Sequence, residues 1–420
     1  MRATTQDRHE RVVQTIQANV QAGVDHGLLA QHVDDVSNGD GTVQIDGRTL
    51  ANFGSCSYLG LCGHPDLERA ALDGIKQFGV SFSSSRLYAA LPYYAELEQK
   101  LSEITGGHVI AAGSTTLAHL SALPSIVGGD AIVLLDRAAH SSLHLTTQLL
   151  QARGVPVHLV PHNDLVALES MVEQYSAEHD QVWFVGDGVY SMLGDIGDNN
   201  AIIDMVARHD KMYAYIDDAH GFGWAGRHGR GVALSERDMH PRLVVAVSLS
   251  KAFGAGGGAI VVGDCELHTQ IMLRGGPLMF GGPIQVAELA AGVAAADLLL
   301  SPELGRRQER LIEQIHFVRH RSRELGIPMA AWDSTPIWFV RIGPLEPTRA
   351  VGRHLIERGH WTNHAGFPVV PVGRAGVRFT HTLNQSLDQL NDLLESIAEA
   401  LALHVPNADV VDLTELETAG

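Results

Sequence analysis

The chain has 420 residues, too many for one compact core and enough for two domains. Its net charge of −18 argues against nucleic-acid binding, and with 45% hydrophobic and 19% charged residues it reads as a globular protein, with no apolar run near the ~20 residues of a membrane span. Three cysteines without a CxxC pair and 23 scattered histidines without a metal-ligand spacing imply no metal site, and the polar start MRATTQDRHERVVQTIQ lacks a signal-peptide core, so a reduced, cytoplasmic setting is expected.

Residues 10–35 read as a helical arm, followed by a polar turn and a short strand pair, TVQIDGRTLANF. Apolar strand-like runs then alternate with helical patterns such as PYYAELEQKLSEI and NAIIDMVARH. The strand candidates are 131–136, 155–160, 182–185, 213–216, 243–248 and 258–263. Several are continuously apolar, as in strands covered on both faces. The alternation predicts an α/β fold with a mostly parallel, doubly wound sheet. After residue 290 come long helical stretches, IWFVRI, a helix, VRFTHT and a closing helix, which predict a smaller α/β domain. The expected divisions are 1–50 (arm and short strands), 51–290 (large domain), 291–403 (small domain) and 404–420 (acidic tail).

In such folds chemistry gathers at the carboxyl ends of strands. The polar clusters fall there: Asp136 to His140, Asp187, Asp217 to His220, and Ser248 to Lys251. A lone lysine in a glycine-rich turn is ordinarily a surface residue. In SLSKAFGAGGG, however, Lys251 has Ser248 and Ser250 beside it as phosphate donors and a glycine run that admits a cofactor closely. Asp217 ends the strand YAYID, where a strand-end acid would ordinarily cap the next helix. It also stands where a carboxylate would keep the pyridine nitrogen of pyridoxal 5′-phosphate (PLP) protonated, with His220 near the ring hydroxyl. In AAGSTTLAHL, Ser114 or Thr115 is either a plain N-cap or part of a phosphate-binding helix start. His140, in LLDRAAHSSLHL, could stack on the pyridine face, although a lone histidine there is more often structural.

Together these segments resemble the α-oxoamine synthase family of fold-type I PLP enzymes over about residues 45–400. The resemblance is carried by NFGSCSYLGLCGHPDL, SSSRLYAALPYYAELEQKLSEITG, DGVYSMLGDIGDNNAI, DDAHGFGWAGRHGRG, SLSKAFGAGGG and GVRFTHTLN, in the family's order. It implies an aspartate aminotransferase-like fold and a homodimer with shared active sites. By position it makes Lys251 the Schiff-base lysine, with Asp217 on the ring nitrogen, His220 on the ring oxygen and His140 on the ring face. Gly113, Ser114 and Ser248 are assigned to the phosphate and Ser191 to the neighbourhood of the ring hydroxyl. Arg378 is assigned to the amino-acid carboxylate through a two-pronged contact, with Arg86 and Cys56 near the substrate. The implied reaction is a decarboxylative condensation of an amino acid with an acyl thioester, from CoA or a carrier protein. Lys251 would remove the Cα proton, and His140 or His220 would bond the thioester oxygen.

The departures lie on the substrate side. Cys56 and Ser57 replace the family's Asn-Asp, and Ala112 to Leu117 replace Ser-Gly-Phe-Ala-Ala-Asn. They point to a specialised biosynthetic member, and they leave open another PLP reaction on the same fold: transamination, retro-aldol cleavage, or condensation with an electrophile other than a thioester.

Overall fold

The computed structural model describes residues 5–405, which divide into a larger unit, 56–191 with 195–310, and a smaller one, 5–55 with 192–194 and 311–405. Among the described residues no helix is long and apolar enough to cross a membrane.

The larger unit is built on a seven-stranded sheet. Its strands, in chain order, are β1 (His108–Ala112), β2 (Ala131–Asp136), β3 (Val157–Val160), β4 (Gln181–Asp187), β5 (Met212–Asp217), β6 (Leu243–Ser248) and β7 (Gly258–Val262). They lie side by side in the order β1-β7-β6-β5-β4-β2-β3. The pairs from β6 through β3 are parallel, and β7 runs antiparallel to both its neighbours. The mostly parallel α/β expectation therefore holds. β2, β6 and β7 are buried at every position, which is why their sequences show no polar alternation. Their branched side chains, with Trp183 and Tyr215, form the core under the flanking helices.

Six of these strands were read from the sequence. β1 was not: HVIAA is short and small-chained and runs straight into the hydroxyl-rich turn. Several helices start on a side-chain cap. Ser114, Asp164 and Asp198 each accept an N–H three residues on, a contact worth about 1 kcal/mol.

The expected boundary at residue 290 shifts to Arg310, inside the helix Glu303–Glu324. The cause is packing: the helix Val286–Leu300 lies so close on Pro65–Phe78 that a Cβ at Gly74 would sit 2.8 Å from that of Ala290.

In the smaller unit, the strands Thr42–Ile45 and Arg48–Asn52 pair antiparallel, as TVQIDGRTLANF predicts. The arm differs from expectation. Its helix, Thr5–Asp25, stops before Gly27, whose φ is +65°, and Val33–Ser37 is a strand paired with Thr42–Ile45. A second sheet joins Ile337–Gly343, Ala375–Thr380 and Asn363–Ala365. The helix Leu387–His404 closes the described chain, so nearly all of the expected acidic tail lies outside the described residues.

Candidate active site

One pocket opens at the carboxyl ends of the central parallel strands, holding about 300 Å³ free of atoms. Its wall is Thr115, Thr116, His140, Ser142, Asp187, Val189, Asp217, Ala219, His220 and Lys251. Four expected residues, Lys251, Asp217, His220 and His140, are thus brought together from three separate chain segments.

Asp217 ends β5 and is 5% exposed. Its Oδ1 accepts the Ala219 N–H at 3.0 Å, and its Oδ2 accepts a hydrogen bond from His119 Nε2 at 2.9 Å. Burial pushes its pKa up. The His119 ring, with Lys251 and His140, outweighs burial and holds the carboxyl at about 2. Asp187 lies beside it, opposite in the β4–β5 register. Burial, and then repulsion from Asp217, drives the Asp187 carboxyl well above the usual carboxylate range. Two buried carboxyls side by side do not both ionise. Asp217 carries the charge and Asp187 the proton, while Asp187 Oδ1 accepts the His140 N–H at 3.0 Å.

His140 caps the helix Ser141–Ala152, its Nδ1 taking the Ser142 N–H and lying 2.7 Å from Ser142 Oγ. Desolvation lowers its pKa against the pull of Asp217, so the ring is neutral at ordinary pH. His220 is buried, its Nδ1 2.7 Å from the Tyr58 hydroxyl, and its carbonyl accepts Trp224 Nε1–H at 2.7 Å.

Lys251 sits in the turn between β6 and β7. That turn closes on itself through Leu249 N–H to Gly257 O (3.1 Å) and Gly254 N–H to Lys251 O (3.0 Å). Gly254 is required there: its φ is +83°, and a Cβ would lie 2.5 Å from that of Leu61. Ser248 is buried behind the turn, with its Oγ 3.1 Å from that of Ser250.

The other expected residues lie elsewhere. Gly113 and Arg86 line a second recess of about 260 Å³ with Tyr94 and Leu117. There Arg86 pairs with Glu98 at 2.9 Å, donates to Ala111 O at 2.8 Å and lies over the Tyr94 ring. Ser114 is the N-cap of the helix Thr115–Ile126, its Oγ accepting Leu117 N–H at 3.2 Å. Cys56 and Ser191 belong to the larger unit but not to the wall of this pocket. Arg378 is buried on Ala375–Thr380 in the smaller unit, with one amine 3.4 Å from Asn363 Oδ1.

Sequence reading missed His119, Tyr215, Tyr58 and the wall residue Thr116; of the two N-cap candidates, Ser114 is the cap and Thr115 lines the wall. Two signals were present. His119 is four residues after Thr115, on one helix face, and Tyr215 is two before Asp217, on one strand face.

Residues 48–397 match the aminotransferase class I and II family. The chain belongs to that family. It is 32% identical to 8-amino-7-oxononanoate synthase of Maricaulis maris over 91% of this chain and 95% of that one. It is 34% identical to 8-amino-7-oxononanoate synthase of Stutzerimonas stutzeri, over 87% and 92%. Its fold matches serine palmitoyltransferase from S. paucimobilis, solved with a bound PLP–myriocin aldimine, at a TM-score of 0.85, 22% identity, and coverage of 93% and 98%. The protein is thus a PLP-dependent acyltransferase of the α-oxoamine synthase type.

The pocket fits PLP. It offers an amine for the aldehyde, a buried carboxylate held ionised for the ring nitrogen, and a helix start for the phosphate. The strand β7 approaches that helix start closely. A Cβ on Gly258 would lie 2.5 Å from Thr115 N, so only glycine leaves the backbone cradle open.

Proposed function

We propose that the enzyme joins the Cα of an amino acid to the acyl group of a thioester, CoA or carrier-protein bound, releasing the thiol and the amino acid's carboxylate as CO2. The observation that carries this reading is the meeting of Lys251, ionised Asp217, His140 and His220 in one pocket of a chain whose relatives are oxononanoate synthases.

Bound PLP supplies an electron-withdrawing ring that makes a substrate Cα–H bond acidic. Lys251 would hold the cofactor at rest, and its Nζ would be the base for the Cα proton. Asp217 would hold the proton on the ring nitrogen. His220, fixed through Nδ1 by Tyr58, would serve the ring oxygen, and Ser191 is placed near it by its motif alone. His140, on the pocket wall, would cover the ring face. With Nδ1 engaged by Ser142, its remaining N–H on Nε2 serves the thioester oxygen as charge develops. The start of the helix Thr115–Ile126, with Gly113 and Ser114 leading into it, takes the phosphate, supported by Ser248. Thr115 joins this set, its Oγ1 reaching Val247 O at 3.4 Å. Arg378 orients the amino-acid carboxylate, and Arg86 and Cys56 flank the substrates; these three assignments rest on the motifs that hold them.

The enzyme is assigned to the cytoplasm and to a homodimer. Support for the dimer is the exposure of Val80, Leu87, Tyr88 and Phe280 on the larger unit; light scattering tests it, and a monomer would refute it.

Amino-acid-dependent thiol release in Lys251→Ala should fall to background, and borohydride reduction of the wild type should fix a pyridoxyl group on Lys251. Near wild-type turnover in that variant would sink the assignment. Arg378→Ala should raise the amino-acid KM about tenfold, the loss expected for a charged hydrogen-bonded contact. An unchanged KM would remove Arg378 from its role.

A further inference from the structure

Behind the pocket wall, Asp217 is the head of a buried chain of side chains that the reaction above does not use. His119, on the helix Thr115–Ile126, is completely buried, and both its ring nitrogens are engaged. Nε2 lies 2.9 Å from Asp217 Oδ2 and Nδ1 2.8 Å from the Tyr215 hydroxyl. The direction of these bonds follows from their ends. An ionised carboxylate only accepts, so Nε2 donates to Asp217. Burial drives the Tyr215 hydroxyl well above its usual range, so it stays a phenol with a proton to give to Nδ1. The Ala219 N–H holds the other carboxylate oxygen, which fixes the plane of the group.

We propose that His119, braced by Tyr215, is a positioning residue for Asp217: it orients the carboxylate and draws basicity from it, so that the proton between Asp217 and the cofactor's ring nitrogen stays on the nitrogen. This rests on the assignment of Asp217 to that nitrogen. A carboxylate sharing its charge with an N–H donor is a weaker base, and a ring that keeps its proton remains the stronger electron sink. Asp217 is faced by His119 from the helix, by Lys251 from the β6–β7 turn, by His140 from beyond β2 and by Asp187 from β4. His119 makes the direct bond, and it lines neither the pocket nor the second recess.

The test uses the full-length, PLP-loaded protein and the variants His119→Ala, His119→Gln, Tyr215→Phe and Asp217→Asn. Three quantities are read: the PLP dissociation constant after reconstitution of the apoprotein, the pH midpoint of the bound cofactor's visible absorbance, and kcat against KM. In His119→Ala the midpoint should rise by about half a pH unit or more, because a ring with less positive charge leaves the lysine–cofactor nitrogen more basic. PLP affinity and kcat should each fall about three- to tenfold, the range of one lost hydrogen bond, with the amino-acid KM within about twofold. His119→Gln, whose amide N–H reaches the same oxygen, should restore most of the midpoint and affinity. Tyr215→Phe should shift the midpoint in the same direction by less, and it decides the matter if His119→Ala does not fold.

Unchanged midpoints and PLP affinities in His119→Ala and Tyr215→Phe, beside a changed Asp217→Asn, would overturn the proposal and leave the Asp217 assignment standing. The proposal would also fail if Ala and Gln lowered the unfolding temperature alike with no midpoint shift, since that marks a packing role. An unaltered Asp217→Asn would instead strike the Asp217 assignment itself.

Discussion

Adjacent aspartates at the end of β5 meet opposite fates. Asp217 is held ionised by His119 and its neighbours, whereas Asp218 is fully buried and lifted to about 8, first by burial and then by repulsion from Asp217. Asp218 Oδ2 accepts the Ala233 N–H at 3.0 Å, and its carboxyl is enclosed by Gly188, Gly221 and Gly231. Cβ atoms at these glycines would approach its oxygens to 2.6, 2.2 and 2.1 Å. An acid with a raised folded pKa binds its proton more tightly folded than unfolded. Its contribution is complete below the unfolded value of 3.8 and is lost as the pH rises toward 8. Asp218→Asn keeps the shape and removes the titration, so unfolding temperatures between pH 5 and pH 8 should decline less in the variant than in the wild type. Parallel curves would mean that Asp218 is not the group responsible.

At the scale of elements, the site depends on how closely β7 passes the start of the helix Thr115–Ile126. Gly258→Ala would place a methyl 2.5 Å from a backbone nitrogen, and neither side is a flexible side-chain end. The strand must move, which should cost about 1–3 kcal/mol of stability and weaken PLP binding. Unfolding in denaturant and apoprotein titration with PLP check this; full stability and affinity in the variant would contradict the close approach. The central strands and their polar ends were legible because buried parallel strands carry unbroken apolar runs. Lys251, Asp217, His140 and His220 were legible because each stands at such an end. The second rank was not read, although its spacing was present: His119 lies one helical turn past Thr115, and Tyr215 two strand positions before Asp217. Nothing local announces that this helix and this strand bring His119 Nδ1 within 2.8 Å of the Tyr215 hydroxyl.

At the scale of the molecule, long-range pairing was what the sequence concealed. Residues 5–55 group with the C-terminal unit because Arg48–Asn52 takes His360–Trp361 as a parallel neighbour some 300 residues away, a pairing with no local signature. The stability of the larger unit should also fall in alkali through His162. Burial opposes charge on that ring, but hydrogen bonds to Asp136 (3.1 Å) and Asp195 (2.7 Å) prevail and lift it to about 10. A histidine with a raised folded pKa stabilises fully below 6.5, and the effect is lost as the pH rises through 10. His162→Gln should therefore be less stable than the wild type at pH 7, the gap narrowing toward pH 10; a gap independent of pH would contradict it.

The central claim is acyl transfer to an amino acid, and its most direct test is thiol release from a panel of acyl-CoAs. The PLP-loaded protein is offered each common amino acid in turn. Thiol release should require one particular amino acid and be accompanied by CO2 and an α-amino ketone. Keto-acid formation without thiol release, from any amino acid, would contradict it and make the protein an aminotransferase on the same fold.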